Sequence, residues 1–368
     1  MKMAVFAVNG CGQIGRRTVA GMLQRGMKLQ LINDPAFANG DTVETARLRR
    51  HIIRGAKDRS ERETLRERLV SGTGCLIWSG EVARVVTVSA EKDPRRLAGD
   101  YASLKRDDPS LIVADCSRFA AENEAFARAH LEAGAVRVAM SMPAKHTKKV
   151  FVHGANAPGE EDLFIPCGSC TTNDLALPLS VVDGYFRIKR GFMLTVHAVT
   201  TEQFIYDVAN NDERKGRSLF NIIPTTTGAA RALERVLPDL EGKMDGFALR
   251  IPLPNGSIAM MVLDTERAPS TEELRDVLRE AATGKLTGVM GYAGKGSHEN
   301  GEVVLEDILI DHADVASVVD EKFTLSFMGL SIVTAWYDNT DGFNANWLNL
   351  LKDVARLRVP NTQSFAAQ

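Results

Sequence analysis

The sequence predicts a two-domain α/β protein, with a doubly wound parallel sheet in its first half and an α+β domain on a mainly antiparallel sheet in its second. Three observations carry that expectation. The chain has 368 residues, more than one ordinary domain holds. Over its first part, short apolar runs alternate with stretches of helical periodicity, the pattern of parallel strands joined by crossover helices. Beyond Cys170 the texture changes to longer runs of period two, which suit an antiparallel sheet with one packed face.

The elements follow in order. AVFAVN (4–9) is short and wholly apolar until its end, as a strand buried on both faces should be. IGRRTVAGMLQRG, from Ile14, has helical spacing with Gly26 as its stop. LQLIND (29–34) closes a βαβ unit. Residues 41–70 are densely charged and read as helix on a solvated surface. CLIWSGEVARVVTVS alternates about a Ser-Gly turn, as a hairpin does. LIVADCS is a further buried strand, AENEAFARAHLEAG a helix ending at Gly134, and VRVAMSMP a strand closed by Pro143. After Cys170, LALPLSVVDGYF reads as a helix that Pro178 should kink. GFMLTVHAVTTEQ, DGFALRIPLP, GSIAMMVLDTE and FTLSFMGLSIVTAWYD read as strands, TGAARALERVL and STEELRDVLREAAT as helices. NANWLNLLKDVARLRV is amphipathic through Trp347, Leu348, Leu351, Val354 and Ala355, and a polar, fraying end follows.

Composition narrows the function classes. Hydrophobic residues make up 44% and charged residues 25%, a globular mixture and not a disordered one. Lys plus Arg number 45 against 47 Asp plus Glu, a formal charge of −2, with a pI near 6.4. That balance argues against a nucleic-acid partner held by bulk charge. No apolar run approaches the roughly 20 residues that span a bilayer, so no membrane partner is expected. The opening MKMAVFAVNGCGQIG turns glycine-rich too early for a secretory leader. Five cysteines (Cys11, Cys75, Cys116, Cys167 and Cys170) form an odd set without zinc-like spacing. They imply a reducing, cytoplasmic setting and no metal site.

Two motifs carry chemistry. Gly10-Cys11-Gly12-Gln13-Ile14-Gly15 fits GxGxxG between a strand and a helix, where glycines allow a pyrophosphate to approach backbone N–H groups at a helix N-terminus. Asp34 ends the next strand, 19 residues after Gly15, placed to accept hydrogen bonds from an adenosine ribose and to repel a 2′-phosphate. The pattern alone is weak; in this context it points to a dinucleotide, and to NAD over NADP. The second motif is Gly168-Ser169-Cys170-Thr171-Thr172-Asn173 at the change of texture. It lies just before the helix LALPLSVVDGYF, and a thiol near a helix N-terminus has its thiolate favoured by the helix dipole, which makes it a nucleophile. A buried structural cysteine is the bland reading. A Cys167–Cys170 redox pair is a lesser one, since Pro166 precedes it and the expected strand–helix context is lacking.

At these residues the chain resembles the phosphorylating glyceraldehyde-3-phosphate dehydrogenases. NGCGQIGR is similar to the family's NGFGRIGR, LINDPAF to AINDPF, and SCTTND to the nucleophile motif SCTTNC. LTVHAVTTEQ resembles the strand of the catalytic histidine, and RKGRSLFNIIPTTTGAARAL the cofactor-side loop and phosphate-binding turn. FALRIPLPNGS resembles FRVPTxNVS, and WYDNTDGF resembles WYDNEFGY. The matches recur in the family's order and spacing over most of the chain.

The resemblance implies an NAD-dependent dehydrogenase that oxidises glyceraldehyde 3-phosphate to an acyl phosphate. It implies a Rossmann-type NAD domain at 1–169, joined by a C-terminal helix at 342–358, and a catalytic domain at 170–338. Cys170 becomes the nucleophile and His197, 27 residues on, its base. Gly10, Gly12, Gln13, Ile14, Gly15 and Asp34 hold the cofactor, and Asn339 its nicotinamide amide. Arg250 with Thr200 grips the substrate phosphate; Ser169, Thr171, Thr227 and Gly228 receive the attacking inorganic phosphate. Arg214 and Arg217 correspond to loop arginines, with solvated surface charge as their plain alternative. A homotetramer is implied, residues 206–224 reaching neighbouring cofactor sites.

The departures are specific. Gln13 replaces an Arg, Cys116-Ser117-Arg118-Phe119 stands for STGxF, and Ser141-Met142-Pro143-Ala144 for SAPS. Thr340 and Asp341 replace Glu-Phe, and Asp174 replaces a second cysteine. The charged 41–70 stretch takes the place of an expected DSxHG. They mark a divergent paralogue. Two alternatives stay open: a dehydrogenase of erythrose 4-phosphate or another phosphorylated aldehyde, and a catalytically retired NAD-binding paralogue.

Overall fold

The computed structural model describes residues 4–37, 42–80, 84–106, 108–200, 203, 220–294 and 314–360. The chain divides into two compact units. The first comprises residues 1–151, 157–167 and 347–368; the second comprises 152–156 and 168–346. The sequence boundary at 169/170 thus lies two residues later, and residues 339–346, with the start of the last helix, group with the second unit.

In the first unit, β1 (Val5–Asn9), α1 (Gln13–Gln24) and β2 (Lys28–Asn33) form the expected βαβ entry. The charged stretch becomes α2 (Thr42–Arg54) and α3 (Arg59–Arg68). It is not solvated all round. Leu48, Ile52, Ile53 and Leu65 are buried, because their spacing places them on inward faces between the charges. Next come β3 (Leu69–Gly72), β4 (Cys75–Trp78), β5 (Arg84–Ser89), α4 (Ala98–Leu104) and β6 (Leu111–Asp115). After them come α5 (Phe119–Glu122), α6 (Glu124–Glu132), β7 (Arg137–Met140) and β8 (Phe164–Pro166). The sheet order is β3-β4-β5-β2-β1-β6-β7-β8. From β5 to β8 every pairing is parallel, while β3, β4 and β5 pair antiparallel. β1, buried along its whole length, lies where the strand order reverses, which is where open α/β sheets bind ligands at their carboxyl ends.

The second unit begins with α7 (Cys170–Phe186), one helix running through Pro178. Pro178 has no N–H for the Asp174 carbonyl one turn earlier. Then follow β9 (Ile188–His197), β10 (Ile223–Thr226), α8 (Ala229–Val236), β11 (Met244–Arg250), β12 (Ser257–Thr265) and α9 (Thr271–Thr283). Ser270 and Glu273 cap α9 reciprocally. β13 (Met290–Ala293), β14 (Ser317–Asp320), β15 (Leu325–Phe327), β16 (Leu330–Tyr337) and α10 (Asp341–Arg356) complete the elements. The sheet runs β10-β11-β9-β12-β16-β14-β13; it is mainly antiparallel, with β11–β9 and β13–β14 parallel. One face is buried: Thr195 and His197, Ala248 and Arg250, Ala259 and Met261 alternate inward from β9, β11 and β12.

Two strand expectations are corrected. Residues 191–203 do not run as one strand; β9 ends at His197, and Thr200 turns its hydroxyl to Gln203 (3.0 Å). Residues 323–338 form a hairpin instead of one strand, β15 pairing with β16. Met328 and Gly329 both take positive φ, 49° and 82°, which a two-residue hairpin turn demands.

Candidate active site

In the first unit the glycine loop fits a dinucleotide pyrophosphate. A Cβ on Gly15 would fall 1.9 Å from the Gly10 carbonyl oxygen, and Gly10, at φ +86°, backs onto Ser117 at 2.9 Å. Those two glycines are demanded by the loop's own closure. Gly12 is different: a Cβ there meets nothing within 4 Å. Gly12 is also the N-cap of α1, with no side-chain cap and no acidic residue in the first turn. Uncapped N–H groups beside open space are what an anion at a helix N-terminus needs. Gln13 and Ile14 form that first turn.

Asp34 anchors the loop. Its carboxylate accepts the Cys11 N–H at 2.6 Å and the Ala36 N–H at 2.8 Å. Three strand ends behind the loop are stitched together: Asn33 donates to Asn9 (2.7 Å) and Asn9 to Asp115 (2.6 Å). Asp115 also takes the Ser117 N–H and hydroxyl. Sequence reasoning missed this row, whose signal was a polar residue closing each of three apolar strands. It also missed His51, which the charged stretch brings 2.7 Å from the Cys11 carbonyl.

In the second unit the structure brings Cys170, His197 and Arg250 together. Ser169, in extended backbone, caps α7 by accepting the Thr172 N–H (3.1 Å), so Cys170 becomes the first residue of the helix. Cys170 Sγ lies 3.4 Å from His197 Nε2. Parallel pairing of β11 with β9 sets Arg250 beside His197, and Arg250 Nη1 reaches His197 Nδ1 at 2.6 Å. The same Nδ1 is 2.5 Å from the Ala198 carbonyl oxygen. These two contacts exclude one another, because Nδ1 carries either a lone pair or a proton. With the proton, it donates to Ala198 and leaves Nε2 basic toward the thiol. With the lone pair, it accepts from Arg250 and Nε2 becomes a donor.

Burial pushes the Cys170 thiol up from its ordinary value; Arg250 and the Thr171 N–H and hydroxyl pull it down without prevailing, and Asp174 adds to the rise. The depressed thiol expected from the sequence is thus not what the site gives, because desolvation prevails. Thr171 is buried and its hydroxyl bonds Tyr337 (2.9 Å), which also bonds Thr195 (2.7 Å) and stands edge-on to the His197 ring at 5.9 Å. Tyr337 was unforeseen as the link between α7 and β9, although WYDN contains it.

The remaining expected residues lie elsewhere in the unit. Thr227 accepts the Ala229 N–H (3.2 Å), and Gly228 caps α8. Asn339 accepts the Gly256 N–H through its side-chain oxygen (3.2 Å). Arg214 and Arg217 lie outside the described residues, as do most of 206–224 and the tail beyond 360. All five cysteines are free thiols. Among the described residues there is no cluster of metal-ligating side chains, and no helix is long and apolar enough to cross a membrane.

Comparison with known proteins bears on the same residues. The family model "Glyceraldehyde 3-phosphate dehydrogenase, C-terminal domain" matches residues 169–339. A glyceraldehyde-3-phosphate dehydrogenase of Kitasatospora aureofaciens is 36% identical over 357 residues, 96% of this chain and 99% of that protein. The chain belongs to the glyceraldehyde-3-phosphate dehydrogenase family. The Priestia megaterium protein of that name is 33% identical over 367 residues, and glyceraldehyde-3-phosphate dehydrogenase 1 of Bacillus subtilis 34% over 365. Both alignments cover 96% of this chain and 99% of the relative. The family model begins at Ser169, the cap of α7, and ends at Asn339, so it spans the whole Cys170–His197–Arg250 cluster.

Proposed function

We propose that this protein is a cytoplasmic, NAD-dependent, phosphorylating dehydrogenase that converts glyceraldehyde 3-phosphate and inorganic phosphate to 1,3-bisphosphoglycerate. The observation that carries the reading is the Cys170–His197 contact of 3.4 Å at the N-terminus of α7, with Arg250 behind the imidazole. His197 takes the thiol proton at Nε2 while Nδ1–H is held by the Ala198 carbonyl, and Sγ adds to the aldehyde carbon to give a hemithioacetal. The Cys170 N–H and His197 steady the oxygen that becomes negative. Gly10, Gly12, Gln13, Ile14, Gly15 and Asp34 would hold NAD, which when bound would supply the acceptor for the hydride. Asn339 would hold the nicotinamide amide. Loss of that hydride leaves a thioester on Cys170. Phosphate then attacks the thioester carbon, the C–S bond breaks, and the acyl phosphate leaves as the thiolate returns.

Arg250, with Thr200, would grip the substrate phosphate by charge-assisted hydrogen bonds. Ser169, Thr171, Thr227 and Gly228 would receive the attacking phosphate. A homotetramer is part of the reading. Phe192, Phe247 and Met260, all more than a third exposed, lie on the outward face of neighbouring strands β9, β11 and β12; an apolar sheet face of that kind suits contact with another subunit. The test is NADH formation with glyceraldehyde 3-phosphate and with erythrose 4-phosphate, each with and without inorganic phosphate. Preference for the first aldehyde and dependence on phosphate are expected. Turnover without phosphate, or with neither aldehyde, would overturn the reading.

A further inference from the structure

Asp174 stands four residues after Cys170, and side chains at that spacing are neighbours on one helix face. It is wholly buried. Neither carboxylate oxygen has a hydrogen bond of ordinary geometry, which is rare for a buried carboxyl and costly for a charged one. The Ser317 hydroxyl of β14 lies close enough to favour the charged carboxylate, though outside ordinary hydrogen-bond geometry.

The groups around it come from every packed element. Cys170 is on its own helix, and Tyr337 approaches from β16; both are pushed up by Asp174. His197 of β9 contacts the thiol, and Arg250 of β11 contacts His197. On β14, Asp320 is engaged with the Trp336 indole N–H. The faces buried by α8, α9 and β12 carry only apolar and hydroxyl-bearing side chains. No cation contacts Asp174 among the described residues.

We propose that Asp174 is a positioning residue whose charge state modulates Cys170: ionised, it adds to the burial that disfavours the thiolate, and neutral, it lifts that added penalty. Burial pushes the Asp174 carboxyl up to about 8, against a small pull from Ser317. At neutral pH the side chain is therefore mostly a neutral acid. Above that range it becomes an anion one turn from the nucleophile, where like charges oppose each other and add to the larger effect of burial on the thiol. The cysteine expected here by resemblance would be a smaller, less acidic group. The inference deepens the reading of Cys170 as nucleophile and rests on it.

The experiment is the rate of iodoacetamide alkylation at Cys170, followed by mass spectrometry of its peptide, for the full-length wild type and Asp174→Asn. Alkylation reads the thiolate fraction and needs neither aldehyde nor phosphate. The two proteins should react within about twofold of each other near pH 6.5, and Asp174→Asn at least about threefold faster near pH 9, where wild-type Asp174 is ionised. A purely structural residue would change the rate by one factor at every pH, and that outcome overturns the proposal. Should the variant fail to fold, the wild type still decides: its infrared spectrum should hold a protonated-carboxyl band that fades as pH rises through about 8. A band absent at pH 6, or one unchanged to pH 10, would refute it. Divergent alkylation without aldehyde turnover would leave Asp174 in this role and remove the dehydrogenase reading instead.

Discussion

At the scale of residues, three side chains bear the functional reading, and each gives a measurable expectation. Cys170→Ser should abolish turnover while NAD binding, measured by fluorescence titration, stays within about threefold, because a hydroxyl at the same site ionises far less readily. Turnover within tenfold of wild type would remove Cys170 from the nucleophile role. Arg250 has two partners to account for, the proposed substrate phosphate and the His197 ring. Removing one partner of a buried charged pair costs about 2–5 kcal/mol, roughly 30- to several-thousand-fold in kcat/KM. Arg250→Ala should therefore lose much more on glyceraldehyde 3-phosphate than on free glyceraldehyde, which would register only the loosened imidazole. Equal losses would assign Arg250 to His197 alone. For Asp34→Gly, both cofactors should bind less well, since the Cys11 and Ala36 N–H groups lose their acceptor. The ratio of NADP to NAD usage should nonetheless rise as the 2′-phosphate meets no carboxylate. A wild type that already prefers NADP would contradict the placement of Asp34 at the ribose.

At the scale of elements, α7 is both the frame of the nucleophile and a weak point. The Asp174 carboxyl is ordinarily near 4 when unfolded and about 8 when folded. Below about pH 4 both states hold the proton and its full contribution to stability is present. As pH rises toward 8 the unfolded chain releases the proton and the folded chain does not, so stability falls, by at most roughly 5 kcal/mol for such a shift. Asp174→Asn should gain on the wild type in urea unfolding between pH 5 and pH 8; a difference constant across that range would exclude the burial effect. Much at this scale was legible from periodicity alone. The strand–glycine loop–helix entry and the antiparallel texture stand as read, and the helix read from Leu175 is present but begins five residues earlier, at Cys170. What failed did so for tertiary reasons. In the 323–338 run the apolar phase slips from Phe323, Leu325 and Phe327 to Leu330 and Ile332 across Met328 and Gly329, a one-residue shift that the pairing of β15 with β16 explains. Residues 41–70 hid Thr45, Leu48, Ile52, Ile53, Ala56, Leu65 and Leu69, all buried, among charges. The Asn9–Asn33–Asp115 row joins residues far apart in sequence, so its only local trace is the polar residue that closes each strand.

At the scale of the whole molecule, the first unit is assembled from three stretches of chain and the second is nearly continuous. Residues 347–358 complete the first unit: Trp347, Leu348, Leu350, Leu351 and Val354 are buried. Arg137, itself buried, donates to the Arg358 carbonyl (2.7 Å) as well as to Glu160 and Asp162 carbonyls. A chain ending after residue 346 should keep the second unit intact and expose the first. Limited proteolysis should then cut within 1–167 and spare 168–346; uniform digestion of both would count against two separable units.

That arrangement also sets an order on the ribosome. The parallel strands from β1 to β8 emerge first, yet the residues that seal them emerge about 180 positions later, a delay of roughly 10–40 s at ordinary translation speeds. During it, the second unit receives nearly all of its own chain, while the older half waits with apolar strands incompletely covered. The half that is translated first is finished last, and it is the half a nascent-chain chaperone has most reason to hold.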